Sequence, residues 1–232
     1  MRTNHELGIK SRLFDGALTL NTAVFLVDWE DPQLASATVN ASIPITINAN
    51  GAEASGVEIM ADWRASEELR IRGTYSFTNS ELSADVPSLI RTINPPGFGS
   101  AFEDGLKGDR LPGAPKGQFS VFASYDQELA NGNMLSYYLN YAWQDEVLSR
   151  AAARGGSLTL DGYTIADLSA VYDAESWSVT LYMNNVFDEF VESGAQSSPR
   201  SNQTVNGATV RSHLTQVLRP RTVGVRFGIN FE

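Results

Sequence analysis

Apolar and polar side chains alternate without a slip through the last fifteen residues, LRPRTVGVRFGINFE. Val223, Val225, Phe227, Ile229 and Phe231 point one way, and Thr222, Gly224, Arg226, Gly228 and Asn230 the other. Successive side chains of a strand face opposite sides of the sheet, so this segment is predicted to be a strand with one apolar and one wet face. A soluble sandwich produces the same local pattern. The recurrence of the pattern, about nine times along the chain, narrows the choice.

The first repeat sets a register. Residues 5–14 and 17–29 flank Asp15-Gly16, a dipeptide that favours a two-residue type I′ turn between antiparallel strands. With Leu13 opposite Leu18, the pairs Ser11/Leu20, Ile9/Thr22 and Leu7/Val24 share one face, leaving Lys10, Arg12, Thr19 and Asn21 on the other. A polar face that carries fixed charges suits a water-filled lumen better than a packed interior. Further strands are expected at 56–64, where Val57, Ile59, Ala61 and Trp63 alternate with Glu58, Met60, Asp62 and Arg64, and at 69–78, after the turn ASEE. The pattern continues at 118–126, 134–143, 162–172 and 177–187, with Asn131-Gly132 and DAES as tight turns. Between these hairpins lie long polar stretches: 32–55, 94–117, a loop around 151–156, and 188 to about 213.

Connections therefore alternate between short and long. Bacterial outer-membrane barrels have short periplasmic turns and longer extracellular loops, so the alternation predicts a topology with the carboxy terminus in the periplasm. On it, Trp63, Tyr125, Tyr172, Trp177 and Phe231 fall near the periplasmic interface, and Trp29 and Trp143 near the extracellular one. An indole placed there buries its ring and keeps its N–H wet.

Composition changes little of this. The chain has 232 residues, 42% of them hydrophobic, and no run approaches the ~18 apolar residues of a spanning helix, so any crossing must be made by strands. Cysteine is absent, which excludes disulfides and thiolate metal sites. The formal charge of -10 argues against nucleic acid as a partner. The start, MRTNHELGIK, does not read as a secretion signal, and the expectation is a carboxy-terminal part of a longer protein.

A set of segments in fixed order carries a family resemblance: NHELGIKSRLFDGALTLNTAVFLVDWEDPQ, G-V-E-I at 56–59, GDRLPGAPK at 108–116, GYT at 162–164, NNVFDE at 184–189, and RPRTVGVRFGINF at the end. Together they resemble the carboxy-terminal barrel portion of a TonB-dependent outer-membrane receptor, over nearly the whole chain. The resemblance implies an all-β antiparallel transmembrane barrel portion, about nine strands of a barrel of about 22, with residues 1–232 as one barrel segment and with plug domain and signal peptide absent. It implies a nutrient receptor, for a ferric siderophore, vitamin B12 or an oligosaccharide. Its partners would be outer-membrane lipid, the missing plug and barrel strands of the same receptor, the TonB complex through that plug, and the barrel-assembly machinery. Val223, Val225, Phe227, Ile229 and Phe231 are candidates for the carboxy-terminal assembly signal, with Glu232 placing the aromatic residue one position early.

No catalytic, cofactor or metal site is expected. The two histidines, His5 and His213, sit at strand ends, no nucleophile or nucleotide motif is present, and the acidic group Asp28, Glu30 and Asp31 lacks the spacing of a calcium loop. Inward charges are more informative: Asp62 and Arg64 face Arg70 and Arg72 across a hairpin, as lumen charge pairs that tie the wall or dock a plug. Tyr138, Asn140, Tyr182, Asn184 and Arg226 are further lumen-lining candidates, and no substrate ligand is identifiable among them. Two rival architectures remain at this stage. One is a small autonomous outer-membrane barrel acting as a pore or adhesin, the other a soluble β-sandwich binding module.

Overall fold

A computed structural model describes residues 1–37, 43–92, 101–206 and 208–229, without side chains for 37, 196–205 and 208–212. In chain order the strands are β1 (Arg2–Leu13), β2 (Leu18–Trp29), β3 (Gln33–Ala37), β4 (Pro44–Asn48), β5 (Ala52–Arg64), β6 (Leu69–Leu82), β7 (Val86–Arg91), β8 (Phe102–Gly105) and β9 (Gly117–Glu128). They continue as β10 (Met134–Gln144), β11 (Val147–Leu148), β12 (Thr159–Leu160), β13 (Tyr163–Asp173), β14 (Trp177–Asn184), β15 (Glu192–Val205), β16 (Ala208–Val217) and β17 (Thr222–Ile229). Nine of them form one antiparallel sheet in the order β1-β2-β5-β6-β9-β10-β13-β14-β17, so each wall strand pairs with the next wall strand along the chain.

The expected register of the first hairpin is the observed one. Leu13 pairs with Leu18, Ser11 with Leu20, Ile9 with Thr22 and Leu7 with Val24. Asp15 and Gly16 both take positive φ, 53° and 89°, and the Ala17 amide donates to the Phe14 carbonyl at 2.9 Å, the geometry of a type I′ turn. Across the whole sheet one row of partners runs Leu13, Leu18, Trp63, Ile71, Ala123, Leu139, Leu168, Met183, Val223. That row is apolar on all nine strands. It also starts at the last residue of β1 and reaches the second residue of β17, so the sheet is staggered in the way tilted barrel strands require.

Three expectations change. First, β5 and β6 extend four residues further than predicted at one end each, to Ala52 and Leu82; these continuations pair in register, although A-E-A-S at 52–55 has no apolar contrast to mark it. Second, the long stretches expected as loops contain hairpins of their own, β3/β4, β7/β8, β11/β12 and β15/β16, because pairing satisfies backbone groups that a structureless loop would leave to water. Third, the predicted strand 177–187 stops at Asn184, where Asn185 turns the chain at φ 50°. Trp29 keeps its expected end of the wall, at the last residue of β2, but lies in register with Arg2 and Ala52, on the face opposite to Leu26, Leu18 and the other outward residues. Trp63, Tyr125, Trp143, Tyr172 and Trp177 do share the outward face with Ile71, Leu69, Phe119, Leu135 and Ile229 respectively. Phe231 lies outside the described residues.

The buried core is in the connections rather than in the wall. Ala49, Leu82, Val86, Leu89, Ile90 and Ala152 are buried against one another, with Leu34, Ile47, Leu111 and Ala151 packed around them. These residues come from three of the long connections and the top of β6. Wall residues such as Leu7, Ile9, Leu181, Val225 and Phe227 remain largely exposed, which in water is a liability and in lipid is the required outer surface.

Candidate functional site: the inward wall and its outer cap

Strand alternation sends every second side chain to the inward face, and that face is polar. One recess of about 490 Å³ crosses five adjacent strands from β2 to β10, with Lys10 of β1 and Tyr163 of β13 at its ends; Asn21, Glu58, Met60, Ser76, Gln118 and Gln144 line it. A second, of about 360 Å³, lies between β10 and β17 and is lined by Asn140, Asp167, Ser169, Thr180, Tyr182, Asn184, Arg219, Thr222 and Arg226. The structure thus brings together four of the five lumen-lining candidates, while Tyr138 stands one row away, its ring stacked on Phe122 at 6.2 Å. In the second recess the Arg226 guanidinium lies 6.0 Å from the Tyr182 ring, within cation–π range. Tyr182 in turn lies across Gly224, where any β-carbon would meet its ring.

The charged residues on β5 and β6 pair diagonally. Asp62 stands opposite Arg72, and Arg64 opposite Arg70. Yet Asp62 accepts a two-pronged hydrogen bond from Arg70, at 2.9 Å from Nε and 2.6 Å from Nη2, and stands 3.6 Å from Nε of Arg72. Arg72 also approaches the Phe122 ring, 5.9 Å from its centre. All of these lie at the end of the wall nearest the short turns.

At the opposite end a polar lock fixes the route into β17, and sequence reasoning assigned it no role. Asn185 is 3% exposed; its amide donates to Asp167 Oδ1 at 2.9 Å, and its side chain bridges the Glu189 backbone and the Arg219 carbonyl. Glu189 Oε2 accepts from the Thr164 amide at 3.1 Å, while Asp188 accepts from both the amide and the guanidinium of Arg221. The segments GYT, NNVFDE and RPRT thus meet at one point. Their spacing along the chain gave no hint of that, and only the ordered motif set marked them.

Above the wall, the cap built on the apolar cluster is pinned by ion pairs. Arg154 donates to both oxygens of Asp109, at 2.6 and 2.7 Å, and to the Asp104 carbonyl, with Glu103 at 3.7 Å. Arg110, only 14% exposed at its side chain, reaches Glu146 and the carbonyls of Ala114 and Glu146. Burial pushes the Asp109 carboxyl up, but the hydrogen bonds from Arg154 and from the Leu106 amide outweigh it and hold the group below the usual carboxylate range. Among the described residues no group of His, Asp and Glu is arranged to hold a metal, and Asp28 stands instead in a row with Glu53 and Glu81. His5 is opposite Leu26 and His213 opposite Ser197.

An antiparallel sheet whose strands all run to neighbours in sequence, apolar on one face and polar on the other, with short turns at one end and a folded cap at the other, is a segment of transmembrane β-barrel wall. The family model for the TonB dependent receptor-like β-barrel matches residues 2–186, and the chain belongs to that family, whose members are outer-membrane transporters rather than enzymes. Among solved structures, the ferric yersiniabactin uptake receptor FyuA of Yersinia pestis is 21% identical with a TM-score of 0.69, over 100% of this chain and 30% of its own. The pyoverdine outer membrane receptor FpvA of Pseudomonas aeruginosa (18% identity, TM-score 0.61) is covered to 30%, and the ferric preacinetobactin receptor BauA of Acinetobacter baumannii (17%, 0.61) to 29%. The chain therefore spans about a third of the length of the solved receptors it resembles. No curated protein sequence matches it.

Proposed function

We propose that this chain is the carboxy-terminal part of the barrel of a nutrient-uptake receptor, and that the whole receptor imports a ferric siderophore or a chemically similar scarce nutrient across the outer membrane. The observation that carries the reading is the sheet itself. Its register keeps one face lipid-compatible and the other polar over nine strands, and the similar structures cited above are receptors for ferric yersiniabactin, pyoverdine and ferric preacinetobactin. Further barrel strands complete the wall on both sides of β1 and β17, since these two run in the same direction and cannot close the sheet as an antiparallel pair. A plug supplied by the remaining chain occupies the lumen and couples to TonB.

The test is uptake by cells. A strain carrying the complete receptor should accumulate labelled ferric siderophore under iron limitation and lose that ability when the segment corresponding to residues 1–232 is deleted. The chain expressed by itself should transport nothing. A heat-resistant monomer of this chain that conducts ions in a planar bilayer would instead establish the small-pore alternative.

A further inference from the structure

Hydrogen-bond donors, carboxylates and an apolar hollow meet on the outward face where β13 turns into β14. Tyr172 and Trp177 stack there at 5.3 Å, with Phe227 6.1 Å beyond Trp177. The Tyr172 oxygen accepts from the side-chain amides of Asn133 and, at 3.4 Å, Asn131, so its own hydrogen is left to be donated away from the protein. Among the described residues the Trp177 N–H has no acceptor either. Asp173 and Glu175, between the two rings in the chain, are exposed and stand within ion-pair distance of no cation among the described residues. One outward position before Tyr172, ~6.8 Å along the strand, comes Ala170. It and Ala123 are low points among Tyr137, Leu139, Leu168 and Leu181, and they leave a mainly apolar hollow of about 740 Å³. Aromatic residues at a membrane interface are general to barrels, whereas the carboxylates between these rings and the hollow beside them are particular to this wall.

We propose that this place holds one phospholipid of the periplasmic leaflet with an ethanolamine headgroup. An acyl chain fills the hollow, phosphate oxygens accept from Tyr172 and Trp177, and the ammonium lies beside Asp173 and Glu175. The inference rests on the barrel reading above, which puts the short turns in the periplasm and this face in lipid. Charge complementarity selects the occupant. An anionic headgroup would bring its phosphate to the same donors and leave the two carboxylates facing a net negative charge, whereas a zwitterionic one supplies the missing cation. No outward wall position of the nine strands is Lys or Arg, so a second copy of the chain pressed against this face would bring Asp173 and Glu175 no partner from its wall. The donors and the hollow also have the spacing of a lipid: polar groups at the turn, apolar surface beginning one position deeper.

The experiment uses the complete receptor in detergent micelles that carry equal amounts of dioleoyl phosphatidylethanolamine and dioleoyl phosphatidylglycerol. Native mass spectrometry counts the lipids that stay bound, and heat-modifiable migration checks that each barrel has formed. The expected result is one phosphatidylethanolamine per monomer, held under activation that strips phosphatidylglycerol. Tyr172→Phe/Trp177→Phe removes both donors and should lower that retention at least about tenfold. Asp173→Asn/Glu175→Gln should abolish the preference between the two lipids. If the aromatic variant does not fold, Ala170→Phe, which fills the hollow and leaves the ring stack alone, should show the same loss. Equal retention of both lipids by the wild type, a dimer in place of bound lipid, or retention indifferent to these changes would overturn the proposal. Labelling of Leu181→Cys by a membrane-soluble maleimide separates the two levels of inference. An unlabelled position would sink the barrel reading, and a labelled one without a retained ethanolamine lipid would sink this proposal alone.

Discussion

At Gly224 the absence of a side chain is what lets the Tyr182 ring lie flat on the last strand beneath Arg226. Gly224→Ala should push the ring off, and its cost should fall sharply when Tyr182 is already Ala; denaturant midpoints of the four variants in the complete barrel would give a coupling on the order of 0.5–3 kcal/mol. Equal costs in both backgrounds would show that the ring does not rest there. Neighbouring residues on β10 make a sharper contrast. Leu139 belongs to the outward row with Ala123 and Leu168, and Asn140 lines the inward recess. Leu139→Arg is expected to cost roughly 2–4 kcal/mol near mid-membrane, whereas Asn140→Arg keeps its charge in water and should cost far less. Comparable losses in urea titrations of the two variants would reverse the assignment of faces.

At the scale of elements, the lock at the start of β17 and the cap above β6 are separable. Asn185→Ala would leave the Glu189 amide, the Glu189 carbonyl and the Arg219 carbonyl without partners and would put Ala at φ 50°, for a loss on the order of 2–3 kcal/mol. Leu82→Ala, at the centre of the cap cluster, should cost about 2–5 kcal/mol of cap stability and show up as faster proteolysis of the connections, not of the wall. The cap should also be sensitive to acid. Asp109 titrates below an unfolded carboxylate near ~3.9, so its contribution is complete above that value and disappears as pH falls through the lower folded one. Protease resistance of the cap that drops below about pH 4 in the wild type, and is already low and flat in Asp109→Asn, is the expected pair of curves. How much of this was readable in advance differs by element. The β1/β2 hairpin was legible because Asp15-Gly16 fixes the turn and the outward pairs Leu7/Val24, Ile9/Thr22, Ser11/Leu20 and Leu13/Leu18 each contain an apolar residue, while the inward pairs Lys10/Asn21 and Arg12/Thr19 contain none. The upper part of β5 was not, because Ala54 and Ser55 look alike to a periodicity argument. The cap was invisible for another reason: Val86, Leu89, Ile90 and Ala152 are scattered over connections that are polar on average, and only tertiary packing collects them. The sequence pattern runs the strand on through Asn185, since no period distinguishes a buried turn residue from a strand-end one.

For the whole molecule the stagger of the rows is the dominant fact. Among the described residues β1 and β17 each carry an unpaired edge, and in lipid an unpaired backbone group costs several kcal/mol, so the isolated chain is expected to aggregate or to need the remaining strands. Sedimentation of the refolded chain in detergent would check this; a discrete monomer would contradict it. In intact cells carrying the complete receptor, added protease should reach the connections at 83–115 and 188–212 and spare the turn at 65–68, and the opposite pattern would invert the topology. The cap has a consequence for anything that recognises the cell from outside. Because its three connections share one apolar interior, a surface contact made there spans residues far apart in the chain. Antibodies raised against short linear peptides from this region should therefore bind the denatured protein and miss the cell, while those raised against whole cells should lose their target when Leu82 is truncated. On that topology the exposed positions of the cap face outward while Leu82, Val86, Leu89 and Ile90 hold it from within, so substitutions at the exposed positions should leave the cap folded and change only what it presents.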